Sequence, residues 1–195
     1  MLKRVFDVVA SGCGLLLLSP VFLWLAGWVK LDSKGPVFYR QVRVGKHNKD
    51  FKLYKFRSMR VGADKAGLIT VGGRDPRVTR SGYYIRKYKL DELPQLINVF
   101  LGDMSLVGPR PEVRKYVDLY TPEQMHVLDV RPGITDKASI LYCHENELLA
   151  GADDPEAFYR EVVMQDKLKI NLEYVRSRSF WGDIKLIFNT IFKIL

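Results

Sequence analysis

Cysteine is scarce in this chain: only Cys13 and Cys143 occur in 195 residues. Cys13 lies in a strongly apolar stretch, so no disulfide framework supports the fold, and a reducing, cytosol-facing setting is the simpler reading. The three histidines, His47, His126 and His144, show no H-E-x-x-H or other paired-ligand spacing, which argues against zinc chemistry. The common nucleotide signatures are missing too. Gly45-Lys46 is followed by His47 rather than Ser or Thr, no glycine precedes it at P-loop spacing, and no G-x-G-x-x-G follows a strand. There is no D-x-D pair, no internal repeat, no nucleic-acid module and no sharp boundary after residue 30. Acidic residues are in deficit, 22 against 31 Lys and Arg, leaving a formal charge of +9. Such a surface attracts polyanions, whether nucleic acid, anionic lipid headgroups or phosphorylated small molecules. With 47% hydrophobic and 27% charged residues the chain is neither disordered nor fibrous. Its length suits one domain, or one domain with an appendage.

The strongest compositional feature is at the start. From residue 5 to residue 29 the only charged side chain is Asp7, a run longer than the roughly 20 residues a membrane helix needs. Trp24 and Trp28 near its end, with no small-x-small site before Lys30, argue against a cleaved signal. Ser19-Pro20 lies in the middle, and an interior proline removes a helical hydrogen bond and crowds the preceding turn, so a kink or break is expected there. Both flanks are basic: Lys3 and Arg4 before, Lys30, Lys34, Arg40, Arg43 and Lys46 after. A hairpin that re-enters the face it left satisfies this charge pattern, and a kinked spanning helix remains open beside it.

Beyond the apolar run, residues 36–44 and 51–57 alternate aromatic and β-branched with polar side chains around a turn-forming connector, predicting a β-hairpin. Residues 58–81, with Gly62, Gly67, Gly72, Gly73 and Pro76, read as a loop. Helical pattern resumes near Gly82; residues 91–101 read as a short helix ended by Gly102, and Thr121-Pro122-Glu123 as the start of another. Asp154-Pro155 opens a longer helix to about residue 178. In the last sixteen residues Phe180, Ile184, Ile187, Phe188, Ile191 and Leu195 share one face, the pattern of a core-facing helix or, beside a membrane segment, of an interfacial one.

One stretch concentrates polar residues capable of chemistry. Taken alone, Asp91-Glu92 reads first as a helix start, with acids favoured near N–H donors; the same location also suits carboxylates that hold a divalent cation beside a phosphate. Gly108-Pro109-Arg110-Pro111 holds an arginine on a stiff backbone suited to bidentate phosphate contact, or is simply a rigid loop.

Taken together, Leu-Asp-Glu-Leu-Pro-Gln at 90–95, Gly-Asp-Met-Ser at 102–105, Gly-Pro-Arg-Pro at 108–111, Arg-Pro-Gly-Ile-Thr at 131–135, Tyr-Lys-Phe-Arg-Ser-Met at 54–59 and the Ser19-Pro20 break closely resemble the bacterial sugar transferase family, the small monotopic phosphoglycosyl transferases. The resemblance implies transfer of a phosphosugar from a UDP-sugar to polyprenyl (undecaprenyl) phosphate, releasing UMP, with Mg²⁺ as cofactor, as the first membrane step of glycoconjugate assembly. It implies an α+β, mostly α fold: residues 1–30 as a re-entrant membrane hairpin broken at Ser19 and Pro20, residues 31–195 as a cytosol-facing catalytic domain with a small β-hairpin and amphipathic interfacial helices. The expected setting is the cytoplasmic face of the bacterial inner membrane, with phospholipid rather than nucleic acid as the partner surface; the oligomeric state and the sugar are not fixed. Asp91 becomes the candidate nucleophile and Glu92 the catalytic metal ligand. Arg110, Arg86, Lys55, Arg57, Pro109, Pro111 and Arg131 become candidates for substrate contact. After Thr135 the chain reads Asp136-Lys-Ala-Ser-Ile-Leu-Tyr142, a departure from the Gln-Val-Asn-Gly-Arg-like continuation of many members, which bears on sugar recognition rather than reaction type. No further N-terminal transmembrane helices precede the apolar run, so the chain looks like the minimal catalytic form. Two alternatives stand beside this reading: direct transfer in a ternary complex, and a membrane-anchored basic scaffold without catalysis.

Overall fold

The structure, a computed structural model, describes residues 1–63 and 75–194. Helices account for most of the regular structure, with two small two-stranded sheets, an α+β arrangement rich in α. The glycines at 67, 72 and 73 of the expected loop lie outside the described residues.

Two helices fill the apolar run, α1 (Leu2–Leu17) and α2 (Ser19–Asp32), bent by 61° about Leu18. The break falls one residue ahead of Ser19-Pro20 because proline is tolerated in a first helical turn and so restarts α2 rather than interrupting it. Pro20 has no N–H for the carbonyl of Leu16, which accepts from a backbone N–H at the end of α1 and from the Ser19 hydroxyl, the latter at 2.8 Å. The burial of α1 is inverted. Asp7 and Ser11 are buried against the protein, Asp7 Oδ1 accepting the backbone N–H of Leu106 at 3.0 Å. Leu16, Leu17, Leu23 and Trp24, around the bend, are exposed. Neither helix alone is long and apolar enough to cross a membrane; the bent pair together passes that test by length and composition.

The expected hairpin forms from β1 (Phe38–Val44) and β2 (Asp50–Phe56), antiparallel with Arg40 opposite Tyr54. Its inner face packs Phe56 against Phe22, Leu25 and Val29 of α2 and Ile85 of α3 (Arg80–Lys87). Thr79 caps α3, its hydroxyl accepting from Gly82 N at 3.0 Å.

The helix expected over residues 91–101 is split in two. Leu90–Glu92 forms a 3₁₀ turn, and α4 runs Gln95–Leu101, ended by Gly102 at φ 103°. Pro94 is the cause: it has no N–H for the carbonyl of Leu90, which accepts from Leu93 N at 3.3 Å instead.

Two short parallel strands follow, β3 (Ser105–Val107) and β4 (Gly133–Thr135). Gly108 and Gly133 meet backbone to backbone, where a Cβ on either would overlap main-chain atoms. Between these strands lie α5 (Arg114–Val117) and Gln124–Asp129, which is 3₁₀ rather than the helix expected from Thr121. After β4 come α6 (Lys137–Leu141) and α7 (Glu145–Ala150). Asp154 caps the long run as expected, accepting from Glu156 N and Ala157 N; that run comprises α8 (Pro155–Phe158), a π turn at Tyr159–Val163 and α9 (Met164–Ser177).

The last helix, α10 (Phe180–Ile194), departs from the expected single stripe. Its most buried described position is Asp183, paired with Lys3 and accepting from the Tyr174 hydroxyl at 2.7 Å. Phe180, Ile184 and Ile187 are half-buried, whereas Trp181, Phe188, Ile191 and Phe192 face outward. Phe180 meets Phe6 edge to face at 5.6 Å, which seats the start of α10 on the start of α1.

Candidate active site

Three segments converge on Glu92. The 3₁₀ turn supplies Asp91 and Glu92, strand β2 supplies Lys55, and the loop after β3 supplies Arg110. Arg110 forks onto the Glu92 carboxylate, Nη1 donating to Oε2 at 3.0 Å and Nη2 to Oε1, while Lys55 Nζ donates to Oε1 at 3.1 Å.

Local sequence explains each placement. Lys89 adopts a left-handed conformation, φ 56°, and turns the chain from α3 into the 3₁₀ segment. Fully buried Asn98 ties α4 to the hairpin, its Oδ1 accepting from Tyr54 N at 3.0 Å and its Nδ2 donating to Lys52 O at 2.8 Å. These bonds fix β2 beside the turn and hence Lys55 beside Glu92. Arg110 is anchored through its main chain, with N donating to Oδ2 of the fully buried Asp136 at 2.9 Å. The other oxygen of Asp136 caps α6 through Ser139 N.

Pro109 and Pro111 frame the same loop. The Pro109 carbonyl accepts from Gly133 N and the Pro111 carbonyl from Arg43 Nη1, each at 3.0 Å. Arg86 on α3 is half-buried and lies within electrostatic reach of Asp91.

Two of the expected contact residues are placed elsewhere. Arg57 is buried, and its guanidinium spans the end of α2, donating to the carbonyls of Val29 at 3.2 Å, Ser33 at 2.7 Å and Lys34. It thus satisfies carbonyls at and just beyond the end of α2, away from the groups around Glu92. Gly35, at φ 134°, is required beside it, because a Cβ there would overlap the guanidinium. Arg131 is exposed and its Nε donates to the Gly102 carbonyl at 2.7 Å, at the end of α4.

The adjacent carboxylates are driven in opposite directions. Burial pushes the Asp91 carboxyl above its ordinary value, with Lys55 opposing and Glu92 adding to the rise. Burial also penalises the Glu92 charge, but Arg110 and Lys55 outweigh it and hold that carboxylate well below the usual range. Burial lowers Lys55, with Glu92 opposing, and Glu92 raises Arg110. Asp91 is 6% exposed, and among the described residues no hydrogen bond reaches its carboxylate. The site thus sets a lone buried carboxylate beside one clamped by two cations. The Arg110 side chain keeps 35% exposure and so remains open to a ligand.

Asp136 and Asn98 were not identified as site residues from the sequence. Asp136 carried a readable signal, an acid three residues before Ser139 at a helix start, the N-cap pattern. Asn98 carried only a weak one, a lone amide within an apolar helical stretch.

A sequence model of the bacterial sugar transferase family matches residues 1–195. The chain belongs to the bacterial sugar transferase family. It is 41% identical over 197 residues to the UDP-N-acetylgalactosamine-undecaprenyl-phosphate N-acetylgalactosaminephosphotransferase of Aeromonas hydrophila, covering 100% of this chain and 44% of that protein. It is 41% identical over 196 residues to the UDP-glucose:undecaprenyl-phosphate glucose-1-phosphate transferase of Escherichia coli (strain K12), covering 99% of this chain and 40% of that protein. The exopolysaccharide production protein PSS of Rhizobium leguminosarum bv. phaseoli is 41% identical over 198 residues, with 98% of this chain and 94% of that protein covered. The chain thus spans less than half of the first two relatives and nearly all of the third.

Proposed function

We propose that the chain is a membrane phosphoglycosyl transferase that moves a phosphosugar from a UDP-sugar to polyprenyl (undecaprenyl) phosphate. The observation that carries this reading is Asp91, a buried carboxylate with no hydrogen-bond partner among the described residues, beside Glu92 with its Arg110 fork and Lys55. A structural ion pair explains Glu92, Arg110 and Lys55; it leaves Asp91 unexplained. A basic scaffold has no use for that carboxylate either.

In this mechanism an Asp91 oxygen attacks the phosphorus that carries the sugar. The bond from that phosphorus to the bridging oxygen breaks, UMP leaves, and the phosphosugar stays on Asp91 as an acyl phosphate. An oxygen of polyprenyl phosphate then attacks the same phosphorus, freeing the Asp91 carboxylate and giving polyprenyl-diphosphosugar. Burial leaves Asp91 poorly solvated, which favours its nucleophilicity once it is ionised, and Lys55 and Arg86 pull it toward that form. Arg110 and Lys55, held at the site by Glu92, are positioned to meet the diphosphate charge.

The donor set fits Mg²⁺ once a bound diphosphate draws Arg110 and Lys55 off the Glu92 carboxylate. Two neighbouring carboxylates supply oxygen ligands, and the ion ordinarily takes one or two such groups with substrate phosphates completing its shell. Glu92, with Asp91 beside it, would hold the ion, whose chemistry is to neutralise phosphate oxygens and assist the leaving nucleotide.

The membrane half of the proposal rests on α1 and α2. Their bend, the exposed leucines and Trp24 around it, and the buried Asp7 and Ser11 support a hairpin that enters the bilayer and returns to the cytoplasmic face of the inner membrane. The outward aromatic side chains of α10 support an interfacial position for that helix. Topology is tested with a single cysteine placed before Lys3 in a background lacking Cys13 and Cys143. Labelling by an impermeant reagent added outside intact cells overturns the hairpin; protection until lysis supports it. The reaction is tested by Mg²⁺-dependent UMP release from a panel of UDP-sugars with polyprenyl phosphate, and no release from any member of the panel overturns it.

A further inference from the structure

Where α2 ends and α3 begins, the structure holds a cavity of about 470 Å³, lined by Asp32, Ser33, Lys34, Arg60, Val61 and the segment Val78–Arg80. None of the groups around Glu92 lines it. We propose that this cavity is a second anion site that takes a phosphate group, separate from the candidate active site.

Charge carries the first step. Three cations line the cavity, Lys34, Arg60 and Arg80, all exposed, and none forms a salt bridge among the described residues. The one carboxylate in the lining, Asp32, is already engaged: its Oδ2 accepts from Ser81 N at 2.9 Å and from the Ser81 hydroxyl at 2.8 Å. Arg80 is an electrostatic neighbour of that carboxylate but forms no salt bridge to it among the described residues. The lining therefore carries an excess of two positive charges, three cations against one acid. A cavity of this volume is in the range of small-ligand sites, and guanidinium groups match the oxygens of a phosphate.

Position carries the second step. Trp28 lies four residues before Asp32 on α2, and Tyr84 lies four residues after Arg80 on α3; their rings stack at 6.1 Å, and Trp24 continues the row at 5.1 Å from Trp28. One helical turn, about 6 Å, separates these rings from the cavity on each helix. Leu31, in the last turn of α2, is 89% exposed. Tryptophan and tyrosine gather where hydrocarbon gives way to headgroups. On the proposed hairpin reading, on which this step rests, the row sets the cavity at the depth of lipid phosphates while leaving it open to soluble phosphate compounds as well.

The test compares wild type, the triple variant Lys34→Gln/Arg60→Gln/Arg80→Gln, and a control losing the same charge at exposed positions elsewhere, Lys49→Gln/Lys137→Gln/Lys169→Gln. One arm reconstitutes each protein in nanodiscs of phosphatidylcholine with phosphatidylglycerol and counts retained phosphatidylglycerol by native mass spectrometry. The other measures the rise in melting temperature with inorganic phosphate or UMP in neutral detergent. A roughly tenfold loss of retained phosphatidylglycerol confined to the triple variant supports the site with a lipid as its source. Loss of the thermal shift confined to the triple variant supports it with a soluble source. Equal behaviour of triple and control in both arms overturns the proposal. Should the triple variant fail to fold, Arg60→Gln alone, a loop substitution, is read against Lys49→Gln by the same criteria. Both readouts are binding measurements and do not depend on the transferase reading.

Discussion

Asp136 holds Arg110 through its main chain: the buried carboxylate accepts Arg110 N at 2.9 Å while the guanidinium reaches away to Glu92. Both Asp136 oxygens face backbone N–H groups, so an amide in its place turns one acceptor into a donor facing a donor. Asp136→Asn is expected to lower the rate of UMP release about tenfold, with circular dichroism little changed. An unaltered rate would show that the loop holds Arg110 without it.

The proposed nucleophile, Asp91, separates from its neighbour Glu92 by mass. With UDP-sugar and Mg²⁺ but no lipid acceptor, the protein should gain one phosphosugar, and Asp91→Asn should abolish that adduct. Glu92→Gln should slow labelling without abolishing it, since it would weaken the proposed metal site and the cation cluster but leave the proposed attacking oxygen. Parallel initial-rate lines are expected in two-substrate kinetics. Intersecting lines with no adduct would favour direct attack by the lipid phosphate.

Arg110→Lys keeps the charge and loses the fork. Because Glu92 is engaged through two guanidinium nitrogens, the variant should lose at least about tenfold in kcat/KM for the UDP-sugar. Near wild-type turnover would remove Arg110 from the site.

Arg57→Lys tests the reassignment of that residue. One ammonium cannot reach the three carbonyls that Arg57 serves. A loss of about 2 kcal/mol is expected, seen as a fall of roughly 4–8 °C in melting temperature, with KM for the UDP-sugar unchanged. A raised KM with no thermal shift would restore Arg57 to substrate binding.

Asp32 gives a pH signature. Burial penalises its charge, but the hydrogen bonds from Ser81 outweigh that and depress its pKa below the ordinary 3.8. A depressed acid stabilises the fold above its unfolded value and loses that contribution as pH falls through its folded value. The gap in melting temperature between wild type and Asp32→Asn should therefore be constant above about pH 5 and shrink below about pH 4. A gap that widens on acidification would contradict the carboxylate–Ser81 contact.

The elements legible in the sequence were those whose signal is local. The hairpin at Phe38–Phe56, the Asp154 cap, the Gly102 stop and the break beside Pro20 each rest on a few adjacent residues. The turn at Leu90–Glu92 was not, because the effect of Pro94 on the carbonyl four residues earlier competes with an otherwise helical pattern. Arg57 misled for a different reason. Its motif neighbour Lys55 points to Glu92, but in a strand residues two apart share a face only while the strand lasts, and Arg57 lies just past the end of β2. The α10 stripe was read by periodicity alone, which cannot reveal that Asp183 is drawn inward by Lys3, 180 residues away. Glu92, Arg110 and Asp136 likewise come together through chain crossings that no short motif encodes.

The Ser19 hydroxyl on the Leu16 carbonyl bears on how such a chain enters a bilayer. A bare carbonyl at the tip of a bent helix pair costs several kcal/mol in hydrocarbon, and would have to drag in water or wait for a neighbouring protein. Here the tip carries its own donor, one residue before the proline that creates the need. In the proposed hairpin this donor would enter the bilayer with the bend itself, so the Leu16 carbonyl need not find a partner there.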